Sequence, residues 1–132
     1  MKRDRRERPV ILVVEDVEET RRGIEKLLLA SRYDIGTAGN EEEAVWKARL
    51  RAPDLILMSL GLDAARALLV ARRIRDGAGL TEQVPVVVFC APELHEGDEV
   101  AIGHNVYMTW PDNFDQLRAS LKGILQARVM SD

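Results

Sequence analysis

The chain has 132 residues, of which 46% are hydrophobic and 31% charged, and its net charge is −3. A length of this order fits one domain with its own core, and so small a net charge argues neither for nor against a charged partner. The single cysteine, Cys90, excludes an internal disulfide and fits a reducing compartment, so we expect a cytoplasmic protein. No apolar run is long enough to cross a bilayer, and residues 1–8 lack the apolar core of a signal peptide.

Short apolar runs alternate with helical patterns along the chain. The predicted strands cover 10–14, 33–38, 55–58, 86–90 and 105–109, and the predicted helices cover 18–29, 41–51, 64–75, 91–103 and 113–129. Asn40 and Glu43 form a capping box at the start of the second helix, and Gly36 places the second strand near the sheet edge. The segment 91–103 has the poorest pattern, with Gly97 in its middle, so a short or distorted helix is expected there.

This alternation predicts an α/β fold, a five-stranded parallel sheet with helices on both faces, because right-handed crossovers build that architecture. We expect the domain to cover 9–127, between a frayed tail at 1–8 and a second tail at 128–132. The central strand, 55–58, is a run of four apolar residues, which suits a strand covered on both faces. Ser59 follows it, at the sheet edge where ligands and chemistry sit in open α/β folds.

Two acids, Glu15 and Asp16, end the first strand. A fold of this type usually places strands one and three side by side, so we expect both acids to share a crevice with Ser59. Adjacent carboxylates can hold a hydrated Mg²⁺ ion. They also suit two solvated acids at a helix N-terminus, stabilised by the helix dipole. The pair alone leaves both interpretations open.

The order and spacing of four features resemble one known family. They are the acidic pair Glu15–Asp16, the run from 53 to 58, the run from 85 to 88, and Tyr107 three residues before Trp110–Pro111. Over residues 9–126 the pattern is similar to the receiver domain of bacterial response regulators. The resemblance implies a flavodoxin-like, CheY-like receiver fold with strand order 2-1-3-4-5. It also implies a role in two-component (phosphorelay) signal transduction, and not an enzyme.

The resemblance assigns roles to several positions. In the family, an aspartate ending strand three accepts a phosphoryl group from a histidine kinase. Glu15 and Asp16 match the acidic pair that binds the Mg²⁺ for this transfer, and Gly61 matches the position whose carbonyl coordinates the metal. Tyr107 matches the aromatic residue that switches the surface read by partners. Because the acceptor carboxylate is missing here, we expect Mg²⁺ binding to be weak.

The phosphate-handling positions depart from the family pattern. Ser59 stands in place of the phosphoacceptor aspartate, Cys90 in place of a phosphate-binding Thr or Ser, and Trp110 in place of the Lys before Pro111. A serine hydroxyl is a far weaker nucleophile than a carboxylate, and an indole carries no positive charge. We therefore expect a degenerate receiver. We also expect a cis Trp110–Pro111 bond, since the family's Lys–Pro bond is commonly cis.

Two function classes stay open. The first is an atypical, stand-alone receiver that signals by phosphorylation-independent protein–protein contact, with a histidine kinase or a downstream signalling protein as partner. Its expected contact surface is helix four, strand five and helix five; a homodimer is left open, and neither nucleic acid nor a membrane is expected. The alternative is a pseudo-receiver whose crevice binds a small, nucleotide-like ligand. A metal-dependent hydrolase built on Glu15 and Asp16 lacks a nucleophile and a general acid.

Overall fold

The structure is a computed structural model that describes residues 8–89 and 92–130, with side chains described as far as residue 127. Its strands are β1 Val10–Glu15, β2 Asp34–Ala38, β3 Leu55–Ser59, β4 Val86–Phe89, β5 Glu99–Gly103 and β6 Val106–Thr109. Its helices are α1 Glu18–Ala30, α2 Glu41–Leu50, α3 Ala64–Ala78 and α4 Phe114–Met130. Within the described ranges, no helix has both the length and the apolarity needed to cross a membrane.

All six strands form one sheet, in the order β2-β1-β3-β4-β6-β5. The first five run parallel in the predicted order, with β6 as the predicted fifth strand, so the α/β fold and its strand order are confirmed. Strand β2 lies at one edge, as Gly36 predicts. Strand β5, which the sequence did not predict, lies at the other edge and runs antiparallel to β6.

Two apolar clusters cover the two faces of the sheet. Successive residues of a strand point to opposite faces. Leu12 and Ile56 accordingly belong to the cluster beneath α2 and α3, whereas Ile11 and Leu57 belong to the cluster beneath α1 and α4. All of β1 and most of β3 are buried. This burial on both faces explains why their sequences are continuous apolar runs rather than alternating ones.

One side chain fixes the register of β1 against β3. Asp54, the residue before β3, is buried, and its Oδ2 accepts a hydrogen bond from the Val10 amide at 2.7 Å. The Asp54 amide donates in turn to the Val10 carbonyl, also at 2.7 Å. The two residues therefore hold the starts of both strands together. The residues that follow pair one for one as far as Glu15 and Ser59.

The helix predicted over 91–103 is wrong. The structure describes residues 92–103 of this segment, as a loop followed by β5. The β-branched residues Val100 and Ile102 alternate with Ala101, a pattern that favours a strand over a helix. Within the described ranges the fold thus has four helices instead of the five expected. The predicted contact surface of helix four, strand five and helix five accordingly lacks its helix four.

A buried arginine holds the turn between β5 and β6. The turn residues His104 and Asn105 have φ of 55° and 59°, as a two-residue hairpin loop of type I′ requires. Arg75 of α3, which is 4% exposed, donates from Nη1 to the His104 carbonyl at 2.8 Å and from Nη2 to the Asn105 carbonyl at 3.2 Å. Its Nε and Nη2 also donate to the Val84 carbonyl, at 3.2 and 2.6 Å. Burial lowers the pKa of Arg75 but leaves the guanidinium charged, so a fixed cation ties the turn to α3.

Other local predictions differ from the structure in detail. Helix α3 ends at Ala78 rather than at residue 75, and Gly79 terminates it in the left-handed region with φ of 71°. Asn40 caps α2 as predicted, accepting the Glu43 amide at 2.8 Å. The Trp110–Pro111 bond is trans, because the described residues contain no cis peptide bond. The cis prediction rested on a family preference and is wrong; trans is the usual state of such bonds.

We expect Arg75→Met to lower the free energy of unfolding by about 2–4 kcal/mol, because buried carbonyls lose a charged donor. Urea unfolding followed by circular dichroism measures this loss. Arg72→Met is the matched control, since Arg72 lies on the same helix with an exposed side chain, 3.7 Å from Asp76. It should change the stability by less than about 0.5 kcal/mol. Equal losses from the two variants would contradict the role given to Arg75.

Candidate functional site

The carboxyl ends of β1 and β3 meet at one edge of the sheet. The strand register places Glu15, the last residue of β1, directly opposite Ser59, the last residue of β3. Asp16 follows Glu15 and is exposed, while Ser59 is half-buried. The two acids and the hydroxyl that the sequence places in one crevice thus lie together, and their functional roles stay predictions.

Glu15 is a buried carboxylate, with 4% of its surface exposed. Burial raises its pKa above the usual 4.5. Two effects act in the opposite direction: the hydrogen bond from the Val17 amide, at 3.2 Å, and the interaction with the Ser59 hydroxyl both lower the pKa. A hydrogen bond with Asp16 and the negative charge of Asp16 raise the pKa of Glu15 further. The net shift is upward, so Glu15 holds its proton more tightly than a free glutamate does.

Arg21 reaches the same edge of the sheet from α1. Its Nη1 donates to the backbone carbonyl of Glu15 at 2.8 Å. Nη1 also lies close to Gly39, where an added Cβ would be 3.3 Å away. The sequence analysis did not single out Arg21. The available signal was that Arg21 lies in the first turn of the helix that follows the two acids.

The loop after β4 contacts the start of α3. Glu93 Oε1 accepts a hydrogen bond from the Ala64 amide at 2.9 Å, at the first residue of α3. Leu94 and Leu62 are partly buried against the same core cluster. Gly61, in the loop between β3 and α3, has φ of 66°, a conformation that favours glycine. These contacts join the loop after β4 to the segment between β3 and α3, which carries Gly61, where the sequence predicts a metal-coordinating carbonyl.

Trp110, at the position where the resemblance expects a lysine, belongs to the base of the β5–β6 hairpin. Its amide donates to the Asp98 carbonyl at 2.9 Å, and its carbonyl accepts the Gly97 amide at 2.6 Å. From α4, Gln116 Nε2 donates to the Gly97 carbonyl at 3.2 Å. The half-buried Trp110 and Pro111 therefore lie where the loop before β5 docks onto β6 and α4.

Tyr107, the predicted switch aromatic, is tied to the opposite end of β6. Its hydroxyl donates to Asn105 Oδ1 at 2.9 Å, in the hairpin turn, and its ring is half-buried. The acids lie at the carboxyl ends of the strands, so the structure does not bring Tyr107 and the acids together. Cys90, predicted at the phosphate-binding position of strand four, lies outside the described residues.

Oxygen ligands for Mg²⁺ are present at the strand ends but are few. In the part of the chain that the structure describes, no group of three or more His, Cys, Asp or Glu is arranged to hold a metal. The carboxylates of Asp16 and Glu15 and the carbonyl of Gly61 are the hard donors that Mg²⁺ prefers. Glu15 is buried, however, and Ser59 adds no third carboxylate. These residues therefore fit the ion only weakly.

Glu15→Gln tests the raised pKa. Because the folded protein binds this proton more tightly than the unfolded chain, the stability of the wild type falls as pH rises from 4.5 through the folded pKa. The variant has no such proton to lose, so its free energy of unfolding should rise relative to the wild type over that window. Urea unfolding at several pH values measures this, with the exposed Glu19→Gln of α1 as control. The assignment would be contradicted if the free energy of unfolding of the variant, minus that of the wild type, stayed constant or decreased as the pH rises.

Known proteins that resemble this chain are response regulators. A family model for the response regulator receiver domain matches residues 11–122. The transcriptional regulatory protein KdpE of Staphylococcus aureus is 32% identical over 116 residues, which are 86% of this chain and 48% of KdpE. The alkaline phosphatase synthesis transcriptional regulatory protein PhoP of Bacillus subtilis is 32% identical over 119 residues, 88% of this chain and 48% of PhoP. The chain thus spans about half the length of these curated relatives.

A solved structure has the same fold. In the crystal structure of histidine kinase ThkA in complex with response regulator protein TrrA, one chain matches with a TM-score of 0.67 and 25% identity. The match covers 89% of this chain and 98% of that chain. Because the family model spans most of the sequence and the relatives agree with it, the chain belongs to the family of response regulator receiver domains of two-component systems.

Proposed function

We propose that this receiver domain signals by protein–protein contact, without phosphorylation of Ser59. The observation that carries the proposal is the pairing of Ser59 with Glu15 at the strand ends. The residue that faces the acidic pair carries a hydroxyl where the family pattern has a carboxylate. A phosphoryl donor would meet no carboxylate at the place where the family carries its acceptor.

Serine is a poor substitute for the acceptor on chemical grounds. Its hydroxyl must lose a proton to attack phosphorus, and the carboxylate of Glu15 is a weak base for that task even with a raised pKa. A phosphoserine is a stable ester, unlike the labile acyl phosphate that lets a receiver reset. Trp110 offers one indole N–H where a lysine would supply a positive charge. Acceptor and phosphate-binding cation are therefore lost together.

The proposed contact surface is the edge of the domain formed by β5, β6 and α4. It corresponds to the predicted surface of helix four, strand five and helix five, with β5 in the place of the helix. Tyr107 and Trp110 lie beside it, and Val100 on β5 is 45% exposed. ThkA and TrrA form a complex of a kinase and a regulator. By that likeness we propose a histidine kinase or a downstream signalling protein as the partner.

Nothing in the described residues favours the alternative of a small ligand at the strand ends. A groove of about 570 Å³ is present, but it lies between α3 and the β5–β6 turn. Its lining includes Leu68, Leu80 and His104 and contains neither the acids nor Ser59.

We propose weak Mg²⁺ binding at Asp16 and Glu15. The cytoplasmic location and stand-alone action stay predictions from the sequence.

Incubation with acetyl phosphate and Mg²⁺ tests the proposal. We expect intact-mass spectrometry to find no adduct of about 80 Da on the wild type, while a receiver domain that has an acceptor aspartate is labelled in a parallel reaction. The reason is the absence of a carboxylate at position 59. An acid-labile adduct on Asp16 or Glu15, or an acid-stable one on Ser59, would reject the proposal.

Ser59→Asp should strengthen Mg²⁺ binding by about tenfold or more, equivalent to about 1.4 kcal/mol. The reason is that a third carboxylate would face the acidic pair and attract the cation. Isothermal titration calorimetry with MgCl₂ measures the affinity. Ser59→Asn is the matched control, because it has the same shape without the charge and should bind like the wild type. If both variants bound Mg²⁺ equally, residue 59 would not face the cation.

A further inference from the structure

Strand β5 is a sheet edge with open backbone groups. It pairs with β6 on one side, and within the described residues no strand lies on its other side. Glu99, Val100 and Ala101 are exposed. The Trp110 amide donates to the Asp98 carbonyl, and in an antiparallel ladder the bonded positions alternate along the strand. Val100 is therefore the next residue bonded to β6, and the amides and carbonyls of Glu99 and Ala101 point outward.

We propose that two copies of this chain pair antiparallel through β5 and join their six-stranded sheets into one. A twofold axis at Val100 places Glu99 opposite Ala101 of the partner subunit, so the outward backbone groups of both strands meet and exchange hydrogen bonds. Val100 then faces Val100 of the partner subunit in a non-hydrogen-bonded pair, where side chains come closest. This pairing uses the β5 strand of the proposed contact surface, goes beyond the proposed function and does not depend on the state of Ser59.

The side chains of β5 suit a second copy of the same strand. Val100 lies opposite Met108, a member of the core cluster beneath α3, yet remains 45% exposed. The line along which the two β5 strands would meet is called the seam. Contact between two Val100 side chains would extend that cluster across the seam and remove apolar surface from water. Glu99 meets the small Ala101 of the partner subunit instead of a like charge. Residues 99–101 also contain no proline or lysine, the residues that commonly protect a sheet edge.

Two features keep this seam short and the dimer weak. The register of β5 shifts between Ala101 and Gly103, and such a bulge ends regular pairing beyond Ala101. The two Glu99 carboxylates lie diagonally across the seam, about 7–8 Å apart, and repel each other. We therefore expect a concentration-dependent dimer rather than a permanent one. Because a twofold contact of this kind closes on itself, it does not propagate into fibres.

Sedimentation velocity over a series of protein concentrations tests the pairing. The wild type should shift from monomer to dimer as concentration rises, and Glu99→Gln should tighten the dimer several-fold by removing the repulsion. Ala101→Pro should stay monomeric, because it loses an outward donor while Val100 keeps its bonds to β6. Leu50→Lys is the control: it alters an exposed hydrophobic residue of α2, remote from the seam, and should dimerise like the wild type.

Cysteine cross-linking tests the register, in a Cys90→Ser background whose fold is first checked by circular dichroism. Val100→Cys brings two Cβ atoms to about 4.5 Å, which a disulfide can bridge, whereas Glu99→Cys leaves about 7–8 Å. We expect rapid oxidation to a covalent dimer only for Val100→Cys. A wild type that is monomeric at every concentration would overturn the proposal and leave the edge to a strand of another protein. A dimer unaffected by Ala101→Pro, or equal cross-linking at both cysteines, would also overturn it.

Discussion

The pairing of β1 with β3 is the constraint on which the site depends. Asp54 ties the starts of both strands through its two hydrogen bonds with Val10, and apolar clusters cover both faces of the pair. A slip by one residue would turn every side chain to the opposite face. The register is therefore fixed along the whole length, and Glu15 meets Ser59 at the far end as a consequence.

This constraint also explains how the crevice keeps its form without a reactive carboxylate. The four residues before Ser59 are fully buried and supply the packing of β3, whereas Ser59 lies at the tip of the strand and is half-buried. A serine there leaves the core untouched, and it lies directly opposite Glu15 in the strand pair. The packing of β3 and the proposed loss of phosphoryl chemistry therefore concern different residues of the same strand.

Local chemistry accounts for what the sequence predicted correctly, and the β5–β6 turn shows where a distant residue decides instead. Continuous apolar runs need burial on both faces, and the Asn40 side chain satisfies a helix amide within its own turn. The β5–β6 turn instead depends on Arg75, which bonds Asn105 from 30 positions away. The positive φ of His104 was not predicted from the sequence. The raised pKa of Glu15 likewise follows from burial, which only the packed structure supplies.

The hairpin holds the residues beside the proposed contact surface in place. The backbone of Trp110 is hydrogen-bonded to Gly97 and Asp98, and the hydroxyl of Tyr107 to Asn105. The positions that the resemblance matches to the family's lysine and switch aromatic are thus hydrogen-bonded to the residues before β5 and to its turn. A packed helix can shift by small slides of its side chains, whereas moving β5 relative to β6 would break the hydrogen bonds between them. The proposed loss of the acceptor and a proposed contact surface held by a hairpin favour the same outcome, a surface presented in one conformation.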